Sequence, residues 1–200
     1  MVTTGLSRIH VAKYANAGGA VSYAECRELG RAKSMDITVN STDENKFYAN
    51  NQVAETEPAM FKDGSAKVGV DGLTAEEQGF ILGVEATEQV TVGEKKIEVY
   101  NFGDNMKPPY LGLAGVKRMQ LQGAVSYRPV ILRKVRFAIP PEAGESQDGD
   151  AINWQIQNLD ATILRDDTAA HNWKTIPKEN FATEDEAVAF IRAVLGGVTA

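Results

Sequence analysis

Short runs of alternating apolar and polar residues dominate the chain, and the helical 3.6-residue period appears only twice. In residues 5–14, GLSRIHVAKY, Ile9 and Val11 share a face, and Leu6 precedes the polar Ser7. In 32–39, Met35, Ile37 and Val39 oppose Ser34, Asp36 and Thr38. Ala66, Val68 and Val70 alternate with Lys67, Gly69 and Asp71, and Ile97 and Val99 flank Glu98. Residues 116–139 predict two strands. In the first, Met119 and Leu121 oppose Arg118, Gln120 and Gln122. In the second, Ile131, Val135, Phe137 and Ile139 are expected on one face with Arg133. Residues 151–164 change phase: Ile152, Trp154 and Ile156 are apolar at even positions, then Leu159, Ala161 and Ile163 at odd ones. A one-residue slip reverses the faces, so a bulge or bend is expected near Gln157-Asn158. A last short strand is expected through Trp173, Lys174 and Thr175, ended by Pro177.

The two helical signals carry the same start device. Thr183-Glu184-Asp185-Glu186 and Thr74-Ala75-Glu76-Glu77 are capping boxes, in which the threonine oxygen and the glutamate satisfy backbone donors that the first turn leaves free. Ala187, Phe190, Ile191, Val194 and Leu195 follow the first at helical spacing, with Gly196-Gly197 as the stop. Phe80, Ile81 and Leu82 follow the second, with Gly83 as the stop. The fold class is therefore mainly β (α+β), one domain over 1–200, with a C-terminal helix and a short internal one.

Two stretches fit neither period. Residues 40–64, NSTDENKFYANNQVAETEPAMFKDG, are polar yet hold Phe47, Tyr48, Met60 and Phe61. A connection this long is functional or disordered, and spaced aromatics favour function. Folded back as a hairpin it would project roughly 35–40 Å at about 3.3 Å per residue. Residues 140–150, PPEAGESQDGD, read as a solvated loop.

Composition narrows the function classes. Lys+Arg of 21 against Asp+Glu of 27 gives a net charge of −6 over 200 residues. Affinity for duplex DNA rests on neutralising phosphates, and anchoring to anionic lipid rests on basic clusters, so neither is expected. A compact monomer of this mass should expose roughly 9,000 Å². The single cysteine, Cys26, excludes an intrachain disulfide or multi-cysteine metal site. Neither a signal-peptide core nor a membrane-length apolar run occurs, so synthesis in a reducing cytoplasm is expected.

Candidate chemistry is sparse. Gly112-Leu113-Ala114-Gly115 is too short for a phosphate-binding loop, and there is no nucleophile elbow. His10 and His171 are the only histidines. Cys26 with a histidine and an acid would need a chance meeting in space. Cys26 in a loop before Gly30, with His10 pointing outward from a strand, is the simpler expectation. Asp166-Asp167 with Asp160 could hold a hard cation, but the spacing is not that of a calcium loop and Asp-Asp after a strand suits a turn. No catalytic, metal or cofactor residues are assigned, and no enzyme activity is expected. Arg118, Arg128, Arg133, Lys134 and Arg136 suit either a charged outer face or ion pairing between subunits. Trp154 and Trp173 are expected in the core or at an interface.

Taken together, GLSRIHVAKYA, LGRAKSMDITVNSTDENKFYANNQVAETEP, KVGVDGLTAEEQGFILG, VSYRPVILRKVRFAIP and FATEDEAVAFIRAVL resemble the major tail proteins of long-tailed, non-contractile bacteriophages. The resemblance spans nearly the whole chain and rests on the order of extended stretches. It implies a β-sandwich or half-barrel with a flanking helix, whose hexameric rings stack into a hollow virion tail tube that carries DNA during ejection. Expected partners are other copies of the chain, with tape measure, tail terminator and distal tail proteins. Genomic DNA would pass through the lumen without specific binding. The resemblance assigns 40–64, with Phe47, Tyr48, Met60 and Phe61, to contacts between rings or subunits. A ring of six copies at −6 each would carry −36. The alternatives are a tail terminator or head–tail connector ring on a related fold, or a ligand-binding β-barrel, which would need polar groups converging in an apolar pocket.

Overall fold

The computed structural model describes all residues except 105, 143, 145, 147–153 and 197–200. Its frame is one antiparallel sheet in the order β2 (Ala20–Glu28), β1 (Val2–Ala17), β9 (Leu111–Leu121), β10 (Ala124–Phe137), β11 (Gln157–Leu164), β6 (Phe61–Val70) and β3 (Ala32–Ser41). A two-residue strand, β12 (Lys174–Thr175), pairs with β10 beside this path. The sheet curls so that β3 returns against β1, which makes the arrangement sandwich-like. The fold is mainly β, as the alternating pattern predicts.

The corner of the sandwich lies in β10. Residues 124–132 of β10 pair with β9, which regains Val135 after a slip, and 134–137 pair with β11. The register slips between Leu132 and Val135, and this bulge changes which face each later side chain takes. Ile131 therefore packs under a helix on the outer side, whereas Val130, Leu132, Val135 and Phe137 enter the main core. The single face expected for Ile131, Val135, Phe137 and Ile139 is thus corrected: Ile131 lies on the opposite side, and Ile139 is exposed. An unbroken apolar run at 130–132 conceals the slip, because periodicity needs polar positions to mark phase.

The phase change expected near Gln157-Asn158 has another cause. Strand β11 begins at Gln157, and its Leu159, Ala161 and Ile163 are buried. Trp154 and Ile156 precede β11 and are exposed, Trp154 at 87%. The core alternative for Trp154 is excluded. Ile152, most of the 140–150 loop's second half and Gly197 lie outside the described residues.

Both helices form as their caps dictate. α1 (Ala75–Leu82) starts at Thr74, whose side chain accepts from Glu77 N–H while Glu77 accepts from Thr74 N–H. It ends at Gly83, whose φ of 69° and close approach to Lys107 O leave no room for a side chain. Phe80, Ile81 and Leu82 close one end of the main core. α2 (Glu184–Val194) repeats the capping box at Thr183 and Glu186. Ala187, Val188, Ile191 and Leu195 seat it on Ala12, Ala114, Val116 and Ile131, outside the β1–β9–β10 layer. Gly112 lies beneath this seat: a Cβ there would meet Leu195 and Tyr23 at 2.7–2.8 Å, so its role is helix packing.

Two hairpins stand off the frame. β4 (Asn45–Ala49) and β5 (Gln52–Glu57) pair with each other, as do β7 (Glu88–Val92) and β8 (Lys95–Val99). The first continues β3 and β6 outward; the second leaves through the coil after α1 and returns through the coil before β9. The chain exposes 12,770 Å², well above the compact expectation, and the projecting hairpins contribute to that surplus.

Candidate assembly surface

The arm is built by strand continuation. The β3–β6 ladder reaches Ser41 and Phe61, and Thr42 N–H then donates to Met60 O while Met60 N–H donates to Thr42 Oγ1. Asn50 and Asn51 turn the tip with φ of 52° and 62°, the left-handed turn that two-residue hairpins favour. Phe47 lies across from Glu55, and Tyr48 across from Val53. Alternation puts Glu57 on the Glu55 side, so Phe47 stands on one face with two carboxylates. Phe47 and Tyr48 are each 63% exposed, and Met60 and Val53 are exposed as well. An isolated two-stranded ribbon gains little by holding such residues in water.

Phe61 belongs elsewhere. It stacks on Trp173 with ring centroids 4.8 Å apart and planes 5° apart, and the Arg165 guanidinium donates to its carbonyl and lies over its ring. Three of the four candidate contact residues are thus displayed on the arm, and the fourth anchors its root. Trp173 is partly buried against the main core.

The outer face of β3, β6 and β11 is small and polar. Cross-strand rows run Asp36–Lys67–Asp160 and Thr38–Ser65–Thr162. The sheet ends at β2 and β3, which have no further strand partner among the described residues.

The basic cluster divides in two. Arg133 Nε meets Asp166 Oδ2 at 3.0 Å, and Lys134 Nζ meets Asp167 at 2.7 and 2.9 Å. Tyr14 donates to Asp167 at 2.8 Å, and Tyr23 donates to Arg133 O at 2.8 Å. The Lys134 hydrogen bond, then that from Tyr14, hold the Asp167 carboxyl below the usual range. Burial pushes Tyr23 up to about 12. Asp166 is buried and also accepts from Thr168 N–H and Oγ1. The acidic pair follows β11 at a bend, as expected of a turn, and it is also tied into internal ion pairs at the β10 corner, while Asp160 stands apart on the outer face. No cluster of three metal-ligating side chains occurs among the described residues. Arg118 and Arg128, by contrast, have no carboxylate partner among the described residues.

Two further expectations are corrected. Cys26 lies in β2, half-buried against the α2 seat, and burial pushes its thiol up, away from the reactive range. His10 does not point outward. It is 1% exposed beside a β1 irregularity where Arg8 has φ of 53°. Its Nδ1 bonds Arg8 O at 3.0 Å, and its buried Nε2 has no partner. Burial lowers its pKa against the opposing pull of that carbonyl. The signal that could have found it is its place between Ile9 and Val11, the centre of a strand that must bury both faces once α2 is added.

The described clefts are open and of about 340 to 470 Å³. No family model matches the chain, and no curated protein matches it.

Proposed function

We propose that the chain is a structural subunit of a phage tail tube, assembling with copies of itself into stacked rings, hexameric by family resemblance, around a DNA conduit in the virion tail. The observation that supports this best is the β4–β5 arm. It displays Phe47, Tyr48 and Val53 to water, which is the disposition of a contact made with another molecule. The two unpartnered end strands supply edges that a neighbouring copy could extend, and head-to-tail contacts between identical copies close into rings. The small polar face of β3, β6 and β11 suits a lumen: Asp36 and Asp160 flank Lys67, so a polyanion would find little to hold it. The chain-wide resemblance points the same way.

Negative-stain microscopy of concentrated protein, alone and seeded with tail-tip complexes, tests the proposal. Rings and tubes are expected. A strictly monomeric field under both conditions would overturn it, and gold label confined to one end of the tail would favour the terminator or connector.

A further inference from the structure

The mouth of the sandwich beside the arm's root holds a cleft of about 350 Å³. Ile37 from β3, Met119 from β9, Val130 from β10 and the Trp173 ring form its apolar floor. Lys117, Arg128 and Lys174 stand around it. None of these three cations pairs with a carboxylate among the described residues; Arg128 donates to Asn180 and Lys174 lies over the Trp173 ring. Every other lining residue is apolar or a threonine, so the cleft presents a positive rim around an aromatic floor.

The arm presents the opposite pattern. Phe47 stands exposed with Glu55 across the ribbon and Glu57 beside it, and neither glutamate has a cationic partner among the described residues. Asp43 nearby is likewise unpaired, whereas Glu44 is engaged by Lys46. One surface is thus an aromatic side chain among unpaired carboxylates, and the other an apolar cleft among unpaired cations.

We propose that the Phe47 face of the arm docks into this cleft on a second copy of the chain, Phe47 entering over Trp173 and Met119 while Glu55 and Glu57 meet Lys117, Arg128 and Lys174. The contact is heterologous, since arm and cleft are different surfaces, so it propagates from copy to copy and can close a ring. The aromatic residue is the anchor, and the charges set register and exclude wrong partners. This docking rests on the tail-tube reading and supplies it with a specific joint.

The test is a charge exchange in the full-length protein, read by sedimentation velocity and microscopy. One variant is Glu55→Lys with Glu57→Lys; the other is Lys117→Glu with Lys174→Glu. Each alone faces like charge at the joint and should self-associate about tenfold more weakly or worse. Mixed in equal amounts, each arm finds a complementary cleft on the other variant, and assembly should return. Phe47→Ser, which leaves all charges in place, should lose assembly and keep the wild-type melting temperature, separating docking from folding. Wild-type assembly by either charge variant alone, or a mixture no better than its components, would overturn the docking. Rings or tubes from those variants would do so while leaving the tail-tube reading intact. Arm-dependent pairs that never form rings would sink the tail-tube reading and leave the docking.

Discussion

The β10 corner and the β4–β5 arm handle the same kinds of side chain in opposite ways. At the corner, Arg133, Lys134, Asp166 and Asp167 neutralise one another within hydrogen-bond distance, and Tyr14, Tyr23 and Tyr110 wrap the cations. On the arm, Phe47 and Tyr48 face water, and Glu55 and Glu57 lack cations. The corner's charged groups are completed by its own chain; on the arm Glu44 meets Lys46, and Glu55 and Glu57 meet no cation among the described residues. Both regions combine charged and aromatic side chains, and what separates them is that the corner's charges are paired within the chain whereas Glu55 and Glu57 have no cationic partner among the described residues.

Substitutions in the body and on the arm should accordingly separate stability from assembly. The largest loss is expected from Ile191→Asp, which puts an unpaired carboxylate into the α2 seat; several kcal/mol are at stake, comparable with the stability of a whole domain. Chemical denaturation reads it, and an unchanged midpoint would mean that α2 does not pack on Ile131 and Val116. Asp166→Ala should cost about 3 kcal/mol by stranding Arg133 at the corner. A loss below 1 kcal/mol, on the scale of an exposed pair, would erase the contrast drawn above. A smaller, pH-dependent effect is expected at His10. Its folded pKa lies below the ordinary 6.5, so on acidification the unfolded chain takes up the proton first. Stability from this site is full above pH 6.5 and falls as pH drops from there towards the folded pKa. Glu28 opposes this shift, whereas Arg8 and Arg192 reinforce it. His10→Gln should flatten the decline of urea midpoints between pH 7.5 and 5.5, and an identical slope would show that the imidazole is hydrated. Smallest of all, Phe47→Ser should change stability by less than about 0.5 kcal/mol, as for an exposed surface position, while abolishing assembly. A marked drop in melting temperature would make the arm part of the body.

The sequence displayed what local chemistry controls. Both capping boxes, the Gly83 stop and the strand phases of β3 and β6 follow from neighbours within a few residues, and all appear where expected. The hairpin within 40–64 was legible as a possibility because aromatics are spaced along a polar stretch. Edge strand β2, AVSYAECRE, was not, because neither of its faces is fully buried and it carries a weak period. Strand β7 was missed for the same reason: Val90 and Val92 alternate on a ribbon that no core confirms. The bulge in β10 is set against Leu113 and Leu111 of β9, and the burial of Asp166 depends on Arg133, so both rest on residues far outside any local window. The cleft draws on β1, β3, β9, β10 and the β12 region, so no window of sequence could reveal it.

Because the arm is a direct extension of β3 and β6, tension applied at its tip is delivered along the strand axes. Pulling it free would slide both strands together past β11, breaking a ladder that runs from the Gln157–Val70 pair to the Ile163–Gly64 pair all at once. The β7–β8 ribbon, slung between coil segments, would merely straighten its tethers under the same load. One projection is therefore anchored to resist a pull, and the other is built to yield.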